Sequence, residues 1–515
     1  MDETEETLPA LERLPGGIVG LDTILNGGFF KGDMYLIVGP PGAGKTILGN
    51  QLCFNHVAHG GRAIYMTLLA ESHSRMLAHL QPLAFFTLAP IGDSLLYLSS
   101  YSSLQKEGLG ALAPLLQAEI RRQRASMLVL DGTLSAAQRA PSRSEWKQFL
   151  YQLHATAENL GCTTFLLLQA DEHEAFQSED SMSDGLLRLS MRQADLRTIR
   201  HLHVQKFRGG EFLTGEHAYT VSQKGFQVYP RLEMLVPPLQ NEPGATTPPL
   251  QQPGRVGVGI ARLNEMLQGG VLSGSITLLL GASGTGKTLL GWHFLHEGLQ
   301  QGEQCLYVGF YETPEQLLRE VGSFGLDVRE ALASEMLHLV WQSPIQDYPD
   351  IVAEQILKVI RERRVQRLFI DSLGGFQHTV ASAERLDLFL VALFTILRAE
   401  HVTTFCSAEL PDLFSPTVEV PPMLKGATTM TDNILFLRYV ELQSQLYRLI
   451  SLLKVRGSDY DSAMREFRIS SKGIEVASTF ASAQAILTGI ASPATREGIP
   501  SAFAEQISSP QGQKS

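Results

Sequence analysis

The chain has 515 residues, 44% hydrophobic and 18% charged, with a net charge of −11. That length calls for more than one hydrophobic core, and the acidic balance argues against a strong nonspecific nucleic-acid binder. Four cysteines without a CxxC pair (Cys53, Cys162, Cys305, Cys406) exclude a disulfide framework and a structural zinc site and suit a reducing cytoplasm, and no apolar run is long enough to cross a membrane.

Residues 1–14 open with Met1-Asp-Glu-Thr-Glu-Glu, an acidic leader and not a signal peptide. A first domain is expected over 15–236. It begins with Gly17-Ile-Val-Gly-Leu-Asp-Thr-Ile-Leu-Asn-Gly27-Gly28 and a strand pattern, Met34-Tyr-Leu-Ile-Val38. Gly39-Pro-Pro-Gly42-Ala43-Gly44-Lys45-Thr46 follows, then an apolar helical pattern. Strand, glycine-rich loop and helix is the context a phosphate-binding loop requires. The glycines let backbone N–H groups fold inward around a phosphate, and the helix start adds partial positive charge. Lys45 is expected to neutralise the β- and γ-phosphates, and Thr46 to offer a hydroxyl to Mg²⁺. Further strands are expected at Ala63–Thr67, ahead of Glu71, at Ser126–Leu130, closed by Asp131, and at Cys162–Leu168; a late strand carries Lys206-Phe-Arg208-Gly209.

The stretch 237–254, with six prolines and no apolar periodicity, reads as an extended linker. A second domain over 255–490 then repeats the first. Gly281-Ala-Ser-Gly284-Thr285-Gly286-Lys287-Thr288 is a second phosphate-binding loop. Lys287 lies 242 positions after Lys45, Glu312 lies 241 after Glu71, Asp371 lies 240 after Asp131, and Lys454-Val-Arg456-Gly457 lies 248 after its counterpart. So steady an offset marks a tandem duplication with a small late insertion in the second copy. Strands alternating with helices predict an α/β fold in each copy, a mostly parallel sheet flanked by helices, with ligands at the carboxyl ends of the strands. Residues 491–515, rich in Ser, Pro, Gln and Ala, read as a tail without a core.

Each chemical reading has a plainer competitor. Asp131 and Asp371 either hold the Mg²⁺ waters beside the loop threonines or cap a helix; the loops upstream favour the metal. Glu71 and Glu312 either orient and deprotonate water or are polar residues at a helix start; recurrence favours catalysis. Lys206 and Arg208, like Lys454 and Arg456, either face a phosphate or cover a solvated strand, and alternation puts each pair on one side of its strand.

These motifs, with Arg456-Gly-Ser458 and Arg465-Glu-Phe-Arg-Ile-Ser470-Ser-Lys-Gly473, resemble the KaiC-type, RecA-like ATPases with two P-loop domains, over about residues 15–495. The resemblance implies a homohexamer of two stacked rings with ATP between subunits, and Lys206, Arg208, Lys454 and Arg456 acting on the neighbour's nucleotide. It makes Arg385 an arginine that approaches the phosphates. In the second domain it implies phosphoacceptors at Thr428 and Thr429, within Gly426-Ala-Thr428-Thr429-Met-Thr431-Asp432, while the first copy reads Asp180-Ser181-Met-Ser183-Asp184. One departure stands out. The family carries two adjacent glutamates after the second strand, and here the pairs read Ala70-Glu71 and Tyr311-Glu312, so the position credited as general base is lost twice.

The expectation is an ATPase and autokinase, an oligomeric switch that signals to a protein partner whose identity the sequence does not give. A DNA recombination or motor ATPase on the same fold is the first alternative. Its strand-facing loops would need basic and aromatic residues, and Ala170–Asp180 and Glu409–Glu419 are acidic instead. A scaffold glued by nucleotide without turnover is the second.

Overall fold

A computed structural model of the chain describes residues 11–68, 73–133, 142–169, 182–194, 197–237, 254–343, 348–377, 383–410, 424–442 and 445–477. Glu71, Asp180 and Ser181 lie outside the described residues, as do most of the leader, the linker and the tail and most of the two acidic loops. The chain divides into two compact units between Met234 and Leu235.

Each unit is built on one nine-stranded sheet. In the first, the order from one edge is Leu95–Ser99, Ala63–Thr67, Met127–Asp131, Thr163–Gln169, Met34–Gly39, Gly185–Ala194, Arg197–Phe207, Glu216–Ser222 and Gly225–Tyr229. The five pairings up to Gly185–Ala194 are parallel and the last three antiparallel. The second repeats the order with Leu337–Trp341, Cys305–Gly309, Arg367–Asp371, Thr403–Glu409, Ile276–Gly281, Asn433–Leu442, Gln445–Val455, Arg465–Ser470 and Gly473–Val476. These are the mostly parallel sheets the alternating pattern predicted. The antiparallel flank of each sheet is an addition.

The central strands are buried along their whole length, as strands covered on both faces must be. Helices Lys45–Ala58 and Lys287–Gln300 pack on them through Leu48 and Leu52 in the first unit and through Leu290, Phe294 and Leu295 in the second. Phe294 stacks on Phe405 of the neighbouring strand at 4.0 Å between ring centroids. All four cysteines are free and buried, as small apolar residues of these cores.

The central strand has to stop where the loop begins, and glycine makes that possible. A Cβ on Gly281 would sit 2.3 Å from the carbonyl oxygen of Leu437 on the adjacent strand, so only glycine fits there. Five residues later in each loop, Gly44 (φ 91°) and Gly286 (φ 102°) take the left-handed conformation that turns the chain into the helix.

Candidate nucleotide sites

The two loops lie at the carboxyl ends of the central strands, at the edge where the other parallel strands also end. In the first unit Lys45, Thr46, Asp131, Leu167 and Gln169 line a cavity of about 370 Å³. In the second, Lys287, Thr288, Trp292, Tyr307, Glu312, Asp371, Ser407 and Glu409 are among those lining one of about 550 Å³.

The lysines behave alike. Lys45 Nζ donates to the carbonyl oxygens of Gly39 (2.6 Å) and Pro40 (2.9 Å), and Lys287 Nζ to those of Gly281 (2.9 Å) and Ala282 (2.8 Å). Burial pushes both ammonium pKa values down; Asp131 pulls that of Lys45 back up, and Glu409 and Asp371 that of Lys287. A largely buried ammonium whose hydrogen bonds end on loop carbonyls is matched to an anion, because charge taken out of water needs an opposite charge to offset the desolvation.

Beside each lysine stands a hydroxyl–carboxylate pair. Thr46 Oγ1 donates to Asp131 Oδ2 at 2.9 Å, and Thr288 is hydrogen-bonded to Asp371. Both aspartates are the last residues of their strands, as the sequence indicates, and neither caps a described α-helix. Burial raises the Asp371 pKa, while Ser407, Thr288 and Lys287 act against that rise. Ser407 Oγ donates to Asp371 Oδ1 at 2.5 Å. Oxygen donors from a threonine and an aspartate are the hard ligands Mg²⁺ takes, so these residues suit that ion beside a phosphate.

Sequence reasoning missed a tyrosine in each site. Tyr65 Oη donates to Asp131 Oδ2 at 2.6 Å, and Tyr307 is hydrogen-bonded to Asp371. The two are 242 positions apart, the spacing of the loop lysines, and that spacing was the available signal. Trp292 stacks on Tyr307 at 4.8 Å in the second site, where the first has Asn50 accepting from Tyr97 Oη at 2.8 Å.

Glu312 immediately precedes the N-cap of helix Pro314–Ser323, where Thr313 and Gln316 form a capping box. Its side chain nevertheless lines the second cavity. Burial raises its pKa, helped by Glu320 and Asp371, and its Oε2 is buried without a hydrogen-bond partner among the described residues.

The Lys-x-Arg segments lie at the other end of the sheet. Strands Arg197–Phe207 and Gln445–Val455 end before Arg208 and Arg456, and the register irregularities at Leu186/Leu187 and Ile434/Leu435 fall on the N-terminal side of Lys206 and Lys454. Lys206 Nζ donates to Ser183 O at 2.5 Å, and Arg208 is 3.7 Å from Asp184. Lys454 Nζ donates to Thr431 O (2.6 Å) and Thr428 O (3.2 Å), and Arg456 is 3.8 Å from Asp432. Asp184 and Asp432 in turn accept from the first residues of the central strands, Met34 N and Ile276 N, both at 2.9 Å.

Arg385, on helix Ala383–Ala399, pairs with the buried Asp350 at 2.5 Å. Thr428 and Thr429 lie on the short helix Lys425–Met430, both hydroxyls donating to Lys425 O at 2.8 and 3.0 Å.

The profile of the family described as "ATPase: KaiC" matches residues 14–233 and 256–480. The chain is similar to the circadian clock oscillator protein KaiC of Thermosynechococcus vestitus, 27% identical over 502 residues (94% of this chain, 93% of the relative). It is 26% identical to that of Synechococcus elongatus over 496 residues (93% and 92%). It is 25% identical to the circadian clock protein KaiC3 of a Synechocystis over 511 residues (94% and 95%).

Proposed function

The chain belongs to the KaiC ATPase family, and on that premise we propose that it is a Mg²⁺-dependent, slowly hydrolysing ATPase that assembles through its nucleotides into a homohexameric switch. The observation that carries the reading is the repeated constellation of Lys45, Thr46 and Asp131 with Lys287, Thr288 and Asp371. The lysines bind the terminal phosphates, releasing their loop carbonyls as they turn. Thr46 with Asp131, and Thr288 with Asp371, would hold Mg²⁺, which would supply neutralising charge at the phosphates.

The distance between the two ends of each sheet supports action between subunits. Arg208 N donates to Asp184 O and Asp184 N to Met34 O, so Arg208 stands at the level of Met34; Arg456, Asp432 and Ile276 repeat the arrangement. Gly39 and Gly281 are five residues further along, about 17 Å at the usual strand rise. A chain's own Lys-x-Arg cations are thus remote from its own loop, and a neighbour's loop is the natural recipient.

The second unit is also read as a self-phosphorylating module with Thr428 and Thr429 as acceptors. Incubating the protein with γ-labelled Mg-ATP, and following released phosphate and protein-bound label together, tests both activities. Binding with neither release nor labelling leaves a nucleotide-held scaffold.

A further inference from the structure

The general base lost from the position of Tyr311 has a chemical replacement on a different strand. We propose that Glu409 is the catalytic base of the second site, an inference that rests on the ATPase reading above.

Glu409 ends strand Thr403–Glu409 and pairs in register with Gly281, the first residue of the phosphate-binding loop; the next residue, Leu410, donates its N–H to Gly281 O at 3.1 Å. It therefore stands over the loop at the end Lys287 occupies, and its side chain lines the same cavity as Lys287, Thr288 and Asp371. Tyr311 lines that cavity too. Burial raises the Tyr311 pKa, and Glu409 raises it further. The residue in the lost glutamate's place and the carboxylate proposed to replace it thus line one cavity. Glu312 lines the cavity as well, but it precedes helix Pro314–Ser323, whereas Glu409 sits on the strand beside the loop strand. A base for attack on the terminal phosphate belongs on the side of the lysine that binds that phosphate, and Glu409 meets the condition.

In the step, the water oxygen bonds to the γ-phosphorus as its proton passes to the Glu409 carboxylate. The bond from γ-phosphorus to the bridging oxygen breaks, and its electron pair leaves with ADP. The carboxyl then returns the proton to solvent. At the equivalent position, in register with Gly39, the first unit has Gln169, which accepts no proton at neutral pH. The second site is accordingly the faster of the two.

The test measures steady-state ATP turnover and nucleotide stoichiometry on the full chain. Glu409→Gln is expected to lower kcat by about 10²-fold, the scale of a general base, with KM within about threefold and two nucleotides still bound; Glu409→Asp keeps part of the lost rate. Turnover of Glu409→Gln within twofold of wild type overturns the inference and leaves the ATPase reading standing. Loss of nucleotide binding along with rate makes Glu409 a binding residue and overturns its role as base. A wild type that binds nucleotide and never turns it over overturns the ATPase reading and this inference together. Should Glu409→Gln fail to fold, Gln169→Glu in the other unit decides: a rise in kcat supports the assignment, and an unchanged kcat overturns it.

Discussion

Tyr65 Oη donates a 2.6 Å hydrogen bond to the same oxygen of Asp131 that accepts from Thr46. With Tyr307 on Asp371, it means that each carboxylate assigned to Mg²⁺ is oriented from the adjacent strand. A hydrogen bond to a charged group contributes roughly 1.5–3 kcal/mol, so Tyr65→Phe or Tyr307→Phe should raise the Mg²⁺ concentration for half-maximal turnover about tenfold. Metal-free nucleotide binding should hardly change. A Mg²⁺ titration of turnover in both variants checks this, and unchanged curves would leave the tyrosines with a packing role only.

The loop lysines divide the binding. Lys45→Ala and Lys287→Ala should each remove one class of nucleotide site, because among the described residues no other Lys or Arg lines either cavity. Titration should give two sites per chain in the wild type and one in each variant. Full stoichiometry in either variant contradicts the assignment.

Assembly should follow nucleotide. Light scattering in saturating Mg-ATP is expected to give a hexamer. Replacing Lys454 and Arg456 together with alanine should lower its stability while each isolated chain keeps its two loops. A wild type that stays monomeric at saturating nucleotide rules out action between subunits.

Self-phosphorylation has a direct readout. Mass spectrometry after prolonged incubation with Mg-ATP should find phosphate on Thr428 or Thr429, whose hydroxyls must first give up their bonds to Lys425 O. No phosphate on either of these, or on Thr431, reduces the second unit to a nucleotide-binding module.

A cluster found, among the described residues, only in the first unit predicts a pH dependence. The Asp33 carboxyl is pushed up to about 6 by burial first and then by Asp184, against the opposing pull of Tyr35 and His154. Its folded pKa lies above the unfolded value. The stability it contributes is therefore complete below about pH 4 and is lost as pH rises through 6. Asp33→Asn should leave stability unchanged near pH 4 and raise it near pH 7 by about 1 kcal/mol, a figure reduced for partial exposure. Urea unfolding of the first unit's signal at the two pH values decides it; an equal effect at both would assign the change to packing. Ser275 occupies the place of Asp33 in the second unit, and Arg398, paired with Asp432 at 3.0 Å, that of His154, so no such window is expected there.

Much of this was legible in the residues. The loops, the strand-end aspartates and the duplication lie in contiguous motifs or constant offsets, and those survive without knowledge of packing. What escaped depends on strands distant in sequence. Tyr65 meets Asp131 because their strands pair in register. Glu409 reaches the second site because its strand lies beside the loop strand. The antiparallel flank escaped for another reason: its strands are half-buried and mixed in polarity, as in the exposed and intermediate positions of Arg197–Phe207, and they carry no continuous apolar run.

The separation of each loop from its own Lys-x-Arg cations has a consequence for symmetry. On the proposed reading every subunit carries a receiving end and a donating end. In the proposed ring the contact is heterologous, and every site is satisfied only when the chain of contacts closes on itself. A site is then shared property. Mixing subunits disabled at Lys287 with subunits disabled at Lys454 and Arg456 should recreate intact second-unit sites wherever an unaltered loop meets unaltered cations, and the recovered activity would count the mixed junctions.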